Sequence, residues 1–407
     1  MLSEKCLGVL KNLKICYLVA EVRCGKTLTA LHTADMYGAK KVLFITKLKA
    51  ISSIRADYDA LKPGFEIVII NKESLHKVTD TDFDLLIVDE NHAVSSTYPK
   101  PNKAAKEIKA RFGYLPQIYL SGTPWIESMS QVYHSFWISN YSPFSGYRNF
   151  YAWAKDYTFP AVKHFAGLKV NDYSRSKDSD ILKVLEPYLV RFTQKEAGFS
   201  TEITEHILFH DLHPSIKAMV NDLCRKLVVT HDEETIMGDS PAKLMGKVHQ
   251  IENGTVIYES GNTAILDRGK AQFIRSHFAG KKMAIFYYFK KEWDMLKSVF
   301  GQSLTDNLDE FNSTGKHIAL QQISGSEGIS LKAADVLVFL NFGYSGRHFT
   351  QARDRMTTLT RECNNVYYVI SRGGINERIF EAVKDKKRYN EKMFIHHYAG
   401  KLNPKLN

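Results

Sequence analysis

Short, continuous apolar runs recur early in the chain with helix-length segments between them: Ile15 to Ala20, Val42 to Thr46, Ile67 to Ile70, Leu85 to Val88 and Ile118 to Leu120. A strand that is apolar on both faces must be covered on both faces. Strands alternating with helices supply that cover, so the pattern predicts an α/β fold built on a parallel sheet. The same rhythm returns in Met283 to Tyr287, Ile318 to Ile323, Val336 to Leu340 and Val366 to Ile370. Two α/β lobes are therefore expected, at 1–125 and 263–395. A helical insertion and connector would fill 126–262, and a tail 396–407. The aromatic stretch Tyr133 to Tyr157 has helix-like spacing and reads as core of the insertion rather than as a stacking platform.

With 407 residues, 44% of them apolar and 24% charged, the chain is too long for one ordinary core and too apolar for disorder. Its formal net charge of +11 favours a polyanionic partner. Five scattered cysteines without a CxxC pair suggest neither a zinc site nor a disulfide framework. No run approaches the roughly 18 apolar residues of a membrane span. A cytoplasmic, bacterial or infected-host location without membrane contact is expected.

Directly after the first run stands Ala20-Glu21-Val22-Arg23-Cys24-Gly25-Lys26-Thr27, followed by a helix-like Leu28 to Met36. A phosphate-binding loop needs backbone N–H groups at a helix N-terminus, a lysine for the β/γ-phosphates and a hydroxyl for Mg²⁺. Gly25, Lys26 and Thr27 supply those parts, although Ala20 replaces the usual first glycine. Leu85 to Val88 ends in Asp89-Glu90-Asn91-His92, an acid pair where a parallel sheet binds its ligands. Asp89 would hold the Mg²⁺ shell and Glu90 would orient or deprotonate an attacking water. The next strand ends in Ser121-Gly122-Thr123-Pro124.

Together these residues resemble motifs I, II and III of superfamily 2 helicases and translocases. Gly325 to Leu331 resembles motif V, and Gln351-Ala352-Arg353-Asp354-Arg355 the start of motif VI. Pro187 to Lys195 is similar to the "pfllRRtK" stretch of the Swi/Snf branch, and Lys282 to Phe289 to its "KvLIFsqf" strand. Ala333-Ala334-Asp335 and Asn376 to Ile379 fit the same branch, so the resemblance runs along nearly the whole chain in order.

The resemblance implies two RecA-like lobes that use ATP and Mg²⁺. It assigns catalysis to Lys26, Asp89, Glu90 and Arg355, metal contact to Thr27 and Asp89, and nucleotide contact to Gly25, Lys26, Thr27, Gly328, Gln351, Arg355 and Arg361. Coupling falls to His92, Ser121 and Thr123. Nucleic-acid contact falls to Lys47 and Lys49 at motif Ia and to Asn71 and Ser74 at motif Ib. Two departures stand out: no Pro-Tyr-Gln motif precedes Ile15, and Thr358 takes the place of the second motif VI arginine. The implied activity is a monomeric, DNA-dependent ATPase that translocates on duplex or branched DNA, in fork remodelling or branch migration. A compact viral, phage-like or bacterial member fits best. The alternatives are a helicase that separates DNA or RNA strands and, in another class, a clamp that binds ATP without hydrolysing it.

Overall fold

The computed structural model describes residues 2–125, 128–165, 168–199, 202–322, 331–353, 356, 363–385, 389–398 and 400–404. The chain forms two compact units, Met1–Phe199 and Ser200–Asn407.

In the first unit, strands β1 (Ile15–Ala20), β2 (Lys41–Thr46), β3 (Glu66–Asn71), β4 (Leu85–Val88) and β5 (Gln117–Ser121) follow the predicted runs closely. A short antiparallel pair, β6 (Ala161–Phe165) and β7 (Leu168–Asp172), precedes β8 (Leu189–Phe192). The sheet order is β3-β2-β4-β5-β1-β8, and every neighbouring pair is parallel. Alternation along each strand builds two cores. Cys16, Leu18, Phe44 and Ile87 face helices Leu2–Leu13, Lys26–Tyr37 and Ile51–Leu61, whereas Tyr17, Leu43, Leu86 and Tyr119 face the later helices. Tyr133, Phe136, Phe144, Phe150 and Trp153 all belong to this second core, as their helical spacing predicts.

The second unit repeats the plan. Its strands are β9 (Glu202–His210), the hairpins β10 (Val228–His231) with β11 (Glu234–Met237) and β12 (Thr255–Ile257) with β13 (Thr263–Ile265), then β14 (Met283–Tyr287), β15 (Leu304–Thr305), β16 (His317–Gln321), β17 (Val336–Phe339) and β18 (Cys363–Ser371). The main sheet runs β15-β16-β14-β17-β18-β9, again all parallel. Both lobes thus have the RecA-like α/β form.

The stretch 126–262, expected to be a separate insertion, is shared between the units. Its first part packs on the first sheet and donates β8, and its later part donates β9 and helices Pro214–Lys226 and Pro241–Glu252 to the second. Adding an edge strand to each sheet pairs backbone groups that an independent connector would leave to water.

A polar network lies inside the second unit. Lys270 is 3% exposed, Glu252 5% and Glu292 0%. Lys270 Nζ donates to Asn253 Oδ1 at 2.7 Å, and Asn253 Nδ2 donates to Asn376 Oδ1 at 2.8 Å. Asn341 Nδ2 donates to Glu292 Oε1 at 2.6 Å, while Asn341 Oδ1 accepts from His249 Nε2 at 2.7 Å and from Asn376 Nδ2 at 3.0 Å. Glu252 Oε2 accepts from the Ile375 N–H at 2.7 Å. A Cβ on Gly374 would come within 2.3 Å of that oxygen, so only glycine fits there. Asn341 opens the loop leading to the helix Gly346–Arg353, which carries Gln351. The network therefore fixes the root of that helix.

Candidate functional site

Parallel strands bring all their carboxyl ends to one edge. On the first sheet that edge collects Asn71, Thr46, Asp89, Ser121 and Ala20, in the order of the strands that carry them. From Ala20 the chain turns through Gly25 at φ 69° and ψ 31°, left-handed backbone that glycine adopts without strain. The helix Lys26–Tyr37 begins at once, so its N-terminal N–H groups and the positive end of its dipole face the sheet edge. Lys26 Nζ donates to the carbonyls of Ala20 and Glu21, both at 2.9 Å, which holds the ammonium across its own loop. Gly122 borders the same place: a Cβ there would stand 3.8 Å from Lys26 Nζ. Thr27 is half-buried on the first helical turn. Cys24 has its thiol pushed up to about 11 by burial, so it is an unreactive part of the loop.

The acid pair sits beside this loop. Asp89 Oδ2 accepts from Thr46 Oγ1 at 2.8 Å and Oδ1 from the Glu90 N–H at 3.0 Å. Burial raises the Asp89 pKa, opposed by the Thr46 hydrogen bond and by the positive charges of Lys26 and Lys47. Glu90 adopts φ 47° and ψ 48°, an uncommon conformation for a residue with a side chain, and opens the short helix Asn91–Ser95. Its Oε2 lies 3.3 Å from His92 Nε2. On the other side of the ring, His92 Nδ1 is 2.7 Å from Ser121 Oγ, which also accepts from the Thr123 N–H at 3.0 Å. When Ser121 donates to Nδ1, the ring proton falls on Nε2, which faces Glu90 at ion-pair distance. A relay of four residues thus joins the acid pair to the turn after β5. Asn91 has a structural part: its Nδ2 donates to the Ser135 carbonyl at 3.2 Å.

The remaining expected residues of this unit lie at the same edge. Lys47 precedes the turn Leu48–Ala50 and acts electrostatically on both Asp89 and Glu73, and Lys49 is exposed on that turn. Asn71 is buried, with its Nδ2 donating to Glu73 Oε2 at 3.0 Å, and Ser74 is half-buried on the turn Lys72–Lys77. In the second unit, Gln351 lies on the helix Gly346–Arg353, whose Arg353 Nη1 is 3.6 Å from Glu205 Oε1 of β9. Gly328, Arg355 and Arg361 fall outside the described residues.

One part of the loop's support has no signal in the sequence pattern. Glu21 Oε2 accepts from the Gln194 N–H at 2.7 Å, Gln194 Nε2 donates to the Val22 carbonyl at 2.9 Å, and the Glu21 N–H donates to the Phe192 carbonyl at 3.0 Å. The segment after β8 therefore clasps the phosphate loop from behind. Gln194→Ala removes one neutral hydrogen bond, worth about 1 kcal/mol, from a loop that must hold its shape to bind phosphate. A rise in KM for ATP of about fivefold with kcat nearly unchanged is expected from steady-state kinetics. A fall in kcat alone would place Gln194 in the chemistry instead.

The model of the SNF2-related domain matches residues 20–250, more than half of the chain. The match takes in the phosphate loop, the acid pair, the turn after β5 and the clasping segment. No curated protein matches. Among solved structures, the chain is similar to the Sulfolobus solfataricus SWI2/SNF2 ATPase core in complex with dsDNA, at 16% identity over 98% of this chain and 92% of that one, with a TM-score of 0.40. It is also similar to the Sulfolobus solfataricus SWI2/SNF2 ATPase core domain, at 15% identity over 94% and 87%, with a TM-score of 0.40. On the family match, which spans the loop and acid residues described above, the chain belongs to the SNF2-related family.

Proposed function

We propose that this chain is a DNA-stimulated ATPase that moves along duplex or branched DNA. The observation that carries the proposal is the relay Glu90–His92–Ser121–Thr123, which links the group suited to activating water with a turn lying against Lys26. A plain nucleotide-binding fold has no need of such a link. A motor does, because hydrolysis must be felt elsewhere in the lobe.

Asp89 and Thr27 offer a carboxylate and a hydroxyl, the hard oxygen donors that suit Mg²⁺, and both are half-buried at the same sheet edge. They would hold the ion, whose charge neutralises phosphate oxygens. Lys26 would bind the β/γ-phosphates, and Glu90 would take the proton of the attacking water. Arg355 is proposed as the finger that completes the site, with Arg361 auxiliary. Lys47, Lys49, Asn71 and Ser74 are proposed to face the DNA backbone, and fork remodelling or branch migration is the proposed use.

The test is the ATPase rate with matched duplex DNA, single-stranded DNA, forked DNA and RNA. Stimulation of about tenfold or more by duplex or fork is expected. Stimulation by RNA alone would overturn the DNA assignment, and no turnover with duplex present would return the chain to a binding clamp.

A further inference from the structure

Outside the sheet edge, one surface of the first unit combines an exposed aromatic ring with two cations. After the helix Phe150–Tyr157 the chain enters the antiparallel arm of β6 and β7. The foot of the arm is pinned by the Phe159 N–H donating to the Arg175 carbonyl at 2.8 Å, the Lys177 N–H donating to the Tyr157 carbonyl at 2.9 Å and a bridge between Thr158 and Ser176. Alternation across this ribbon turns Thr158 inward, 3% exposed, and leaves Phe159 outward, 50% exposed.

Arg175 and Lys177 both lie over the Phe159 ring, at 5.9 Å and 5.6 Å from its centroid. Neither has a carboxylate at ion-pair distance among the described residues. Of the nearby acids, Asp156 accepts from Tyr147, Asp178 from Ser176 and Asp172 from Ser174, while Asp180 lies on the first turn of the helix that follows; none is at ion-pair distance from Arg175 or Lys177 among the described residues. Two like charges on one ring repel, and cation–π attraction of about 0.5–1 kcal/mol each only partly offsets that. Placed over one ring at the pinned foot of the arm, the charged heads lose less freedom on meeting a ligand than free side chains would. This is a pair of cations gathered on one exposed ring, the kind of group that suits phosphate oxygens.

We propose that the foot of this arm is a second contact for the DNA phosphate backbone, separate from the motif Ia and Ib turns. The inference rests on the DNA reading above and adds a place where the duplex is gripped. An arm that grips phosphates without touching base edges adds affinity and salt dependence but no sequence preference.

The test is binding of a labelled DNA duplex by fluorescence anisotropy across a salt series, with the whole chain. Arg175→Ala with Lys177→Ala should weaken binding at low salt and flatten the slope of log affinity against log salt by close to 2, about one per lost phosphate contact. The charge-conserving pair Arg175→Lys with Lys177→Arg should keep the slope. ATP turnover without DNA should stay at its wild-type level in both, since neither residue is among those assigned to nucleotide binding or hydrolysis. A wild-type slope in the double alanine variant would overturn the inference and leave the DNA reading standing. A wild-type chain that binds no duplex at any salt would overturn that reading, and the arm contact with it.

Discussion

Glu90→Gln is expected to lower ATP turnover by a factor of about 10² or more while leaving ATP bound, because the amide keeps the size of the side chain and loses only its basicity. The left-handed backbone at Glu90 directs this side chain away from the regular path out of β4 and against His92. Strain of that kind, on the order of 1–3 kcal/mol, persists where the surroundings enforce it, and it concentrates at working sites. Lys26→Ala should fail differently. Removing the ammonium takes away a direct phosphate contact, so KM for ATP should rise together with a loss of kcat. Single-turnover hydrolysis measured beside nucleotide binding separates the two. A Glu90→Gln chain that turns over ATP near the wild-type rate would show that another group activates water.

The inner strands that position this site were legible because each is buried on both faces and so is apolar without interruption; β3, at the sheet edge and half-buried, still carries the apolar run Ile67 to Ile70. β9 was not legible. It lies at the sheet edge with alternate residues exposed, and Glu202, Thr204, Glu205 and His206 break any apolar run. Its place depends on pairing with β18, which is remote in sequence. The loop and acid residues were legible because phosphate and metal chemistry demands particular side chains at particular strand ends. The clasp between Glu21 and Gln194 joins residues 173 apart, and each of its bonds pairs one side chain with a backbone group of the other segment, which no local pattern reveals. The aromatic stretch Tyr133 to Tyr157 could be placed in the core from its spacing alone. The exposure of Phe159, just beyond it, depends on the arm's pairing across Thr158 and Ser176.

Lys270 is a case where sequence gives no sign of the environment: a lysine at the start of a helix is ordinarily solvated, yet this one is enclosed with two glutamates. Burial lowers the Lys270 pKa, opposed by the charges of Glu292 and Glu252. It pushes Glu252 up to about 7 and raises Glu292, with Lys270 acting in the opposite sense on both acids. The signs set the pH behaviour. A glutamate with a raised folded pKa contributes stability that is fully present below its unfolded value, near 4.5, and is lost as pH rises toward about 7. A lysine with a lowered folded pKa contributes stability that is present at high pH and lost as pH falls through the folded value. Burial pushes the Lys270 ammonium down to about 7, so at pH 8 it is largely neutral, and Lys270→Met there removes mainly its bond to Asn253 and leaves that buried oxygen unpaired, at roughly 1–3 kcal/mol. At pH 5 both acids are protonated, and the variant is spared the cost of burying an ammonium. Urea unfolding followed at Trp293, which belongs to the second unit, should therefore show a modest loss at pH 8 that shrinks toward pH 5. Glu252→Gln should flatten the decline between about pH 4.5 and 7 while keeping an acceptor for the Ile375 N–H. A Lys270→Met penalty independent of pH would mean that the side chain acts by shape and its Asn253 bond alone. A penalty that follows pH would mean that charge balance holds Asn341, and through it the root of the helix bearing Gln351.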